Sequence, residues 1–438
     1  TIGGNLVNNG PVSMTNGVAT DALTVNGNYS GTGVVNVDAN LQNGSAADTI
    51  SATNVGGTTT INFVNVGGTK GYFATPLEVM KGADAGATVT AGTGLESYGL
   101  IDYSLDRVGN AWAVVSTINA TGAGATAASV AASLTSLSTG FAEASSAFIT
   151  GPADPKQDQI AFGIWVRSKA GRYTIDANSS TNGGPAVGST YRTTFGGVQA
   201  GVDGGIYDIN GSGMNAHLGL TAGYVRVHNV NETTSGISTS VEAPFFGIYG
   251  ALTGHGFFAD VQLQRNIYDL HLTNRAAGLY DAKVGAQGYT AIASAGKVIP
   301  ISGNWFIEPS VGLNYSRIEV SPVGVIGGTI NLDPLESLIG SVRMRVGTAI
   351  AMTDDFVLRP SVQASWWKEF AGNATADFTV PGFTIPVSTD RVGSFGQIGL
   401  AIAGQSLSNN VTGFVRGDYR FGEKIHGGTI VAGLRYTF

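Results

Sequence analysis

The feature that most restricts the fold of this chain is a two-residue alternation of apolar and polar side chains, clearest in its last stretch, 427–438. Successive side chains of an extended strand point to opposite faces. One face of this stretch carries Arg435, and the other is apolar and ends in two aromatic residues: Ile430, Ala432, Leu434, Tyr436 and Phe438. A soluble edge strand can show the same alternation. Its recurrence in segment after segment back to Gln159 favours a closed barrel in a membrane.

The composition agrees with strands that face lipid on one side. Charged residues are only 12% of the 438 residues, yet no run approaches the ~20 apolar residues of a membrane helix. The chain has no Cys, which excludes disulfides and thiolate metal sites. Residues 1–150 contain 3 basic and 9 acidic side chains, and residues 151–438 contain 20 and 21, so neither part has the basic surface expected for nucleic acid. The chain opens without a signal peptide and in mid-pattern, which suggests a mature or truncated fragment.

Twelve long alternating segments are predicted from residue 159 to 438, an even number, as in bacterial single-chain barrels. The sixth, near 278–299, is the weakest. Charges fall repeatedly on the face opposite the large apolar residues, and a charge on the lipid face costs several kcal/mol near mid-membrane. We therefore predict a lumen-facing set of charged residues: Glu308, Arg343, Arg345, Arg359, Arg416, Asp418 and Arg435.

The N-terminal part has a different pattern. Residues 1–70 are rich in Gly, Asn and Thr, and short alternating pieces end in Gly or Asn turns, which predicts stacked coils of a β-solenoid; an ordinary sandwich is the alternative. Residues 98–118 predict a hairpin with its turn at Gly109-Asn110. Its aromatic residues, Tyr98, Tyr103 and Trp112, would cap the open end of the solenoid.

Between these parts, residues 126–149 predict one helix. Large apolar residues recur there with a helical period and form a narrow stripe: Val130, Leu134, Leu137, Phe141 and Phe148. The rest of the surface is Ala and Ser, and 24 residues span ~36 Å, slightly more than the hydrocarbon core. We expect this slim helix to lie inside the barrel, surrounded by a polar wall.

This order of parts resembles a monomeric autotransporter, a type Va secretion protein, over the whole chain. The segments that resemble the family most specifically are YGLIDYSLDRVGNAWAV (98–114), which is similar to its autochaperone junction, and the strands FGIWVRSKAGRY and VAGLRYTF. The terminal strand also resembles that of bacterial outer-membrane proteins, which typically ends in Phe. The resemblance implies an all-β fold: a twelve-stranded antiparallel outer-membrane β-barrel with an α-helix in the pore, preceded by the C-terminal end of a β-solenoid passenger.

The implied division is 1–97 solenoid, 98–120 capping or autochaperone hairpin, 121–155 linker with pore helix, and 156–438 barrel translocator. The implied function is secretion and surface display of the chain's own passenger, by a monomer in the outer membrane of a Gram-negative bacterium. Its partners would be outer-membrane lipid, the barrel-assembly machinery and periplasmic chaperones, with Tyr436 and Phe438 as the assembly signal. No cofactor, metal or nucleic acid is expected.

Two other functions stay open: a plugged small-solute channel and a membrane-embedded hydrolase. The second would need a site such as Asp269 and His271, but no motif supports a nucleophile. Some autotransporters cleave themselves in the pore at an Asn-Asn bond, and residues 121–149 contain no Asn. Two roles stay open for the inward charges. They pair with each other and serve only barrel packing, or they position the helix.

Overall fold

The fold combines a solenoid end, an α-helix and a closed barrel, and it is known from a computed structural model that describes residues 1–140, 155–181 and 186–438. Residues 1–118 form two sheets whose strands alternate along the chain. The first eight strands are β1 Leu6–Asn8, β2 Pro11–Ser13, β3 Ala22–Gly31, β4 Val34–Ala39, β5 Thr49–Val55, β6 Thr58–Asn65, β7 Leu77–Asp84 and β8 Thr88–Ala91.

The parallel pairing of these strands confirms the solenoid and excludes the sandwich alternative. β1, β3, β5 and β7 pair in parallel in one sheet, and β2, β4, β6 and β8 do so in the other. Val35, Ile50 and Ile61 are buried between the two sheets. Asn28 and Asn54 bond side chain to side chain at 2.8 Å on successive coils. Each coil therefore needs its neighbour for both its core and its polar surface.

A hairpin ends the larger sheet. It consists of β9 Ile101–Val108 and β10 Ala111–Ile118, and its turn at Gly109 has φ 63°. β10 pairs antiparallel with β7 on one side and with β9 on the other. The hairpin thus covers the backbone edge that β7 would expose.

One α-helix, α1 Ala120–Gly140, follows the hairpin. It begins six residues before the predicted start, because Asn119 caps it: the Gly122 backbone N–H donates to Asn119 Oδ1 at 2.8 Å. Predicted helical residues 141–149, with Phe141 and Phe148, lie outside the described residues. No α-helix within the described ranges is long and apolar enough to cross a bilayer.

The barrel confirms the predicted count, because twelve antiparallel strands close it within the described residues, β28 pairing with β11. The sixth strand, β16 with β17, lies close to its predicted position. The bounds are β11 Gln159–Thr181, β12 Val187–Tyr207, β13 Met214–Asn231, β14 Ile237–Gly254, β15 Phe257–Asn274, β16 Leu279–Lys297 with β17 Ile299–Pro300, β18 Trp305–Val320, β21 Leu335–Thr348 with β22 Ile350–Ala351, β23 Phe356–Glu369, β26 Ser394–Ser406, β27 Val411–Gly422 and β28 Ile425–Thr437.

The two rims of the barrel differ. At one rim, which also holds the start of β11 and the end of β28, neighbouring strands are joined by short turns. At the other rim two connections carry extra strands, β19 Val323–Val325 with β20 Gly328–Leu332, and β24 Ala374–Val380 with β25 Phe383–Thr389. Outer-membrane barrels have short periplasmic turns and longer extracellular connections. The rim with the short turns is therefore periplasmic, and the rim with the extra strands is extracellular.

The barrel is taller than a membrane requires. Strands β11 to β16 are 18 to 23 residues long, whereas about 9–11 residues cross a bilayer. On β13 the outward-facing Leu218 and Leu220 lie near the periplasmic rim, and the outward-facing Arg226 lies beyond them toward the other rim. Inward-facing Val225 and Val227, beside Arg226, are buried. The polarity of the two faces therefore inverts along the strand where the barrel leaves the lipid.

The capping hairpin generates a prediction about the solenoid. Trp112 is 5% exposed, and the Arg107 guanidinium carbon lies 4.1 Å from its ring centroid. We expect Trp112→Ala to cost about 3–5 kcal/mol, since a large buried ring is lost. In limited proteolysis, residues 1–118 should become sensitive while the barrel keeps its heat resistance in gel electrophoresis. Val108→Ala, at an exposed site of the same hairpin, is the control. Equal loss in both parts would show that solenoid and barrel unfold together.

Candidate functional site: the barrel lumen

Helix α1 lies inside the barrel with its N-terminus at the extracellular rim. Three inward-facing side chains of the wall hold its first turns. Tyr191 Oη donates to the Ala125 carbonyl at 2.9 Å and Ser179 Oγ to the Gly124 carbonyl at 3.2 Å. Asn274 Nδ2 donates to Thr126 Oγ1 at 2.8 Å. These contacts satisfy helix groups with neutral partners on three different strands.

A second set of bonds holds the helix one turn further into the lumen. Asn229 Nδ2 donates to the Ser129 carbonyl at 3.0 Å, and the Ser129 and Thr239 hydroxyls lie 2.8 Å apart. Thr193 Oγ1 in turn donates to Asn229 Oδ1 at 2.8 Å and so fixes the orientation of that amide.

The predicted polar wall around the helix is wrong for its described part. Val130 and Leu134 are buried, and Leu137 shares a small cavity with Val225 and Phe245. The surrounding wall is mainly apolar; its buried members include Val225, Val227, Val241, Ala243, Phe245, Tyr268, Leu270, Leu272, Val284 and Ala286. We call this half of the barrel interior, next to the extracellular rim, the upper lumen. It is closed by the helix and by Leu100 and Ile101 of the hairpin, so it packs like the core of a soluble protein.

Two serine hydroxyls of the helix bond to the helix itself and not to inward charges of the wall. Ser133 and Ser136 donate to helix carbonyls four residues earlier, at 2.8 and 3.1 Å. Such back-bonding satisfies a hydroxyl without a wall partner, which allows Ser to occupy an apolar environment.

The predicted charged residues lie on the inner wall nearer the periplasmic rim, in the lower lumen. Arg345 pairs with Glu308 on the neighbouring strand. Arg416 Nε donates to Asp418 at 2.9 Å and Arg359 to Gln405 at 2.6 Å. These contacts match the alternative in which inward charges pair with neighbours in the wall.

Arg343 and Arg435 complete the predicted set. The Arg343 guanidinium carbon lies 5.7 Å from the ring centroid of Trp367. Arg435 pairs with Asp203, a residue that the sequence analysis did not select, at 2.6 Å. Asp203 follows the outward-facing Val202, so the alternation of β12 already placed it inside.

Further buried charged residues lie on the inner face of the barrel. Arg167 donates to Gln199 at 2.8 Å, and Arg420 lies 4.8 Å from the ring centroid of Tyr173. The alternation of β11 and β27 predicts both arginines inside, because Val166 and Phe421 beside them face outward. Lys169, two positions after Arg167, is buried on the same face.

The predicted cap residues and the predicted assembly signal lie at opposite ends of the barrel. Tyr103 is buried and donates to the Gly71 carbonyl at 2.8 Å, and half-buried Tyr98 lies beside Gly327 at the tip between β19 and β20. Burial raises the pKa of the Tyr103 phenol above its ordinary value. Tyr436 and Phe438 face outward, 48% and 63% exposed. Phe438 also exchanges backbone hydrogen bonds with Phe162 at 2.8 and 2.9 Å.

The residues of the hydrolase alternative do not line the lumen. Asp269 and His271 lie on the outer side of β15, beyond the apolar belt. His271 Nδ1 lies 3.0 Å from a carboxylate oxygen of Asp281, which is largely exposed. The arrangement is a surface contact at the extracellular end of the barrel.

Together these positions place the parts of the chain described before and after residues 141–154 at opposite rims of the barrel. The hairpin and solenoid lie outside the extracellular rim, α1 runs down the lumen, and β11 begins at the periplasmic rim. A sequence model of the autotransporter beta-domain matches residues 164–418, more than half of the chain.

This chain belongs to the autotransporter family.

A curated relative and two solved structures support the assignment. The BrkA autotransporter of Bordetella pertussis is 22% identical over 284 residues, which cover 64% of this chain but only 26% of BrkA. The crystal structure of the BrkA beta domain matches with a TM-score of 0.50 at 20% identity, over 63% of this chain and 99% of that one. The transport unit of AIDA-I from Escherichia coli matches with a TM-score of 0.53 at 16% identity, over 72% and 99%. The barrel is thus an autotransporter translocator domain of the outer membrane.

The fit of the helix in the upper lumen generates a prediction. A Cβ on Gly124 would lie 2.6 Å from Ser179 Cβ, closer than side-chain atoms approach. Gly124→Ala raises helix propensity by about 1 kcal/mol, but overpacking costs about 1–3 kcal/mol, so we expect looser seating of the helix. Purified protein in planar bilayers should show more frequent open events.

The second variant isolates the cause. Adding Ser179→Gly to Gly124→Ala removes the atom in conflict, together with one hydrogen bond to the helix, and should lower the conductance from the Gly124→Ala level toward the original one. A Gly124→Ala protein that conducts less than the parent would show that helix propensity, not the fit to Ser179, controls the seating.

Proposed function

We propose that the barrel carries its own N-terminal solenoid to the cell surface and keeps it attached there, with the helix left in the pore as a plug. The observation that carries this proposal is the position of α1 in the lumen, after a hairpin at the extracellular rim and before a strand that starts at the periplasmic rim. A chain with this path has threaded the pore. The role is transport of the chain itself, and we assign it no catalytic step.

The size of the lumen is consistent with this role. Barrels of eight strands are filled by side chains and those of sixteen leave an aqueous channel. Twelve strands lie between these cases, and the helix with its side chains is ~10–12 Å wide. Residues such as Ala127, Ala128, Ala131 and Ala132, all buried, keep this helix slim. It fills the upper lumen, so the plug and the wall share one core.

Folding of the solenoid outside the cell would help to retain the exported segment. Each new coil buries apolar residues such as Val37 and Phe63 against the previous coil, and stacked coils gain stability from each neighbour. We propose that the hairpin with Tyr103 and Trp112 nucleates this stacking, because β10 supplies a paired edge on which β7 can form.

The charged residues of the lower lumen have a different role in this proposal. Arg345 with Glu308 and Arg416 with Asp418 neutralise each other within the wall, which supports a part in barrel packing. The plug is held by the neutral side chains of the upper lumen, among them Tyr191, Asn229 and Asn274.

The proposed partners are outer-membrane lipid around the apolar belt, and periplasmic chaperones and the barrel-assembly machinery during biogenesis. We propose that the barrel works as a monomer. Tyr436 and Phe438 support recognition by the assembly machinery, since both rings lie on the outer surface next to the chain end.

Removal of the plug tests the transport proposal. Purified full-length protein in planar bilayers should show a small conductance, and deletion of residues 1–150 should raise it sharply. A Cys introduced at Ser136, which is 2% exposed, should resist thiol reagents in the folded protein, and the absence of native Cys makes the signal specific. A Cys at the exposed Thr88 is the labelling control.

Two results would contradict it. Equal conductance with and without residues 1–150 is expected of a small-solute channel and not of a plugged secretion pore. Rapid labelling at position 136 in the intact barrel would show that water reaches the helix.

The terminal residue tests the assembly partner. Deleting Phe438 removes an exposed ring and two backbone hydrogen bonds to Phe162. We expect lower levels in outer-membrane fractions of cells, measured by immunoblot. Phe383→Ala, an exposed Phe in the β24–β25 hairpin, should leave the levels unchanged. Normal levels of the deletion variant would remove Phe438 from the assembly signal.

A further inference from the structure

The barrel closes at one seam, where the last strand, β28, pairs with the first, β11, from Gly163 with Thr437 to Ile175 with Ile425. Inside this seam, Arg435 reaches past β11 to Asp203 on β12. Its two terminal nitrogens donate to the two carboxylate oxygens at 2.6 and 2.7 Å. Both side chains are fully buried. A bidentate pair of this kind fixes both the distance and the orientation of its partners.

The contact depends on a missing side chain. Residue 163 of β11, which stands opposite Asp203, is Gly. A Cβ at Gly163 would lie 2.2 Å from an Arg435 terminal nitrogen. Any larger residue there would block the path of the guanidinium across the first strand.

Asp203 is held from its other side in the same way. Tyr249 on β14 donates its hydroxyl to Asp203 at 2.6 Å, across Gly219 of β13, where a Cβ would lie 2.5 Å from the Tyr249 ring. Trp165 Nε1 of β11 donates to the Tyr249 hydroxyl at 2.7 Å. The acceptor for Arg435 is therefore positioned by side chains of β11, β12 and β14, none of which belongs to the last strand.

We propose that Arg435 and Asp203 form a seam latch that selects the register in which the barrel closes. The smallest slip of β28 that keeps its faces is two residues, or about 6.6 Å along the strand. Such a slip would bring Gly433 or Thr437 opposite Trp165 in place of Arg435. It would leave the Asp203 carboxylate buried without its cation, and an unpaired buried charge is strongly unfavourable. The apolar outer face of β28 would tolerate the same slip, so the selectivity comes from the lumen.

Register can be measured directly, because the chain has no native Cys. Ala170 and Ile430 are opposite each other across the seam, and both face outward. A Cys pair at 170 and 430 should form a disulfide under mild oxidation in the parent barrel, since a direct disulfide needs Cβ atoms about 3.5–4.5 Å apart. Pairs at 168 and 430 or at 172 and 430 would react only after a two-residue slip.

The variants separate register from stability. Asp203→Asn and Arg435→Gln each leave one buried group without its partner, so we expect heat denaturation to occur about 10 °C lower and slipped pairs to react. The apolar double variant, Asp203→Leu with Arg435→Met, has no unpaired charge. It should recover most of the heat resistance and still give slipped pairs. Arg345→Gln, which breaks a lumen ion pair between β18 and β21 away from the seam, should lose heat resistance but keep the 170–430 reaction.

The outcomes decide the proposal. Reaction of the 170–430 pair alone in both single variants and in the double variant overturns it, since register would not depend on the pair. If the single variants give no barrel, the double variant decides. A double variant that forms barrels with slipped pairs supports the seam latch, and one that fails as completely as the single variants overturns it.

Discussion

Pairing of β28 with β11 is the constraint on which the other parts of this molecule depend. Backbone groups inside a bilayer have no water to bond, so a sheet is stable there only if its last strand meets its first. Closure produces an interior, and the interior determines where the helix, the hairpin and the solenoid can lie. The backbone hydrogen bonds between Phe162 and Phe438 lie at the periplasmic end of this seam, and the contact of Arg435 with Asp203 lies on its lumen side.

The interior created in this way has two environments. The upper lumen is apolar and contains the helix, and its hydrogen bonds join neutral groups such as Asn229 and Ser129. The lower lumen carries paired charges, including Arg345 with Glu308. Apolar packing and neutral hydrogen bonds therefore hold the helix, while these ion pairs join strands of the wall to each other.

Much of this arrangement could be predicted from the sequence, because every strand that crosses the lipid must place apolar side chains on its outer face. Twelve segments, the inward position of Arg435 and the outward position of Phe438 follow from alternation alone. The apolar upper lumen did not follow, since the polarity of the faces inverts between Leu220 and Arg226 without any change in period. The start of the helix was also missed: Gly122 and Gly124 weaken helix propensity, and the cap from Asn119 and the close fit to the wall outweigh it. Partners across strands, such as Asp203 for Arg435, depend on register, which periodicity does not determine.

The antiparallel hairpin at the end of the parallel sheet prevents further coils from pairing at that end of the solenoid. Its edge at β7 is occupied by β10, while the edge at β1 carries no such block among the described strands. Coils can therefore be added or removed at the far end without altering the junction with the barrel. The junction with the barrel therefore does not depend on the number of coils before it, which makes this barrel a practical vehicle for the surface display of arrays of different length.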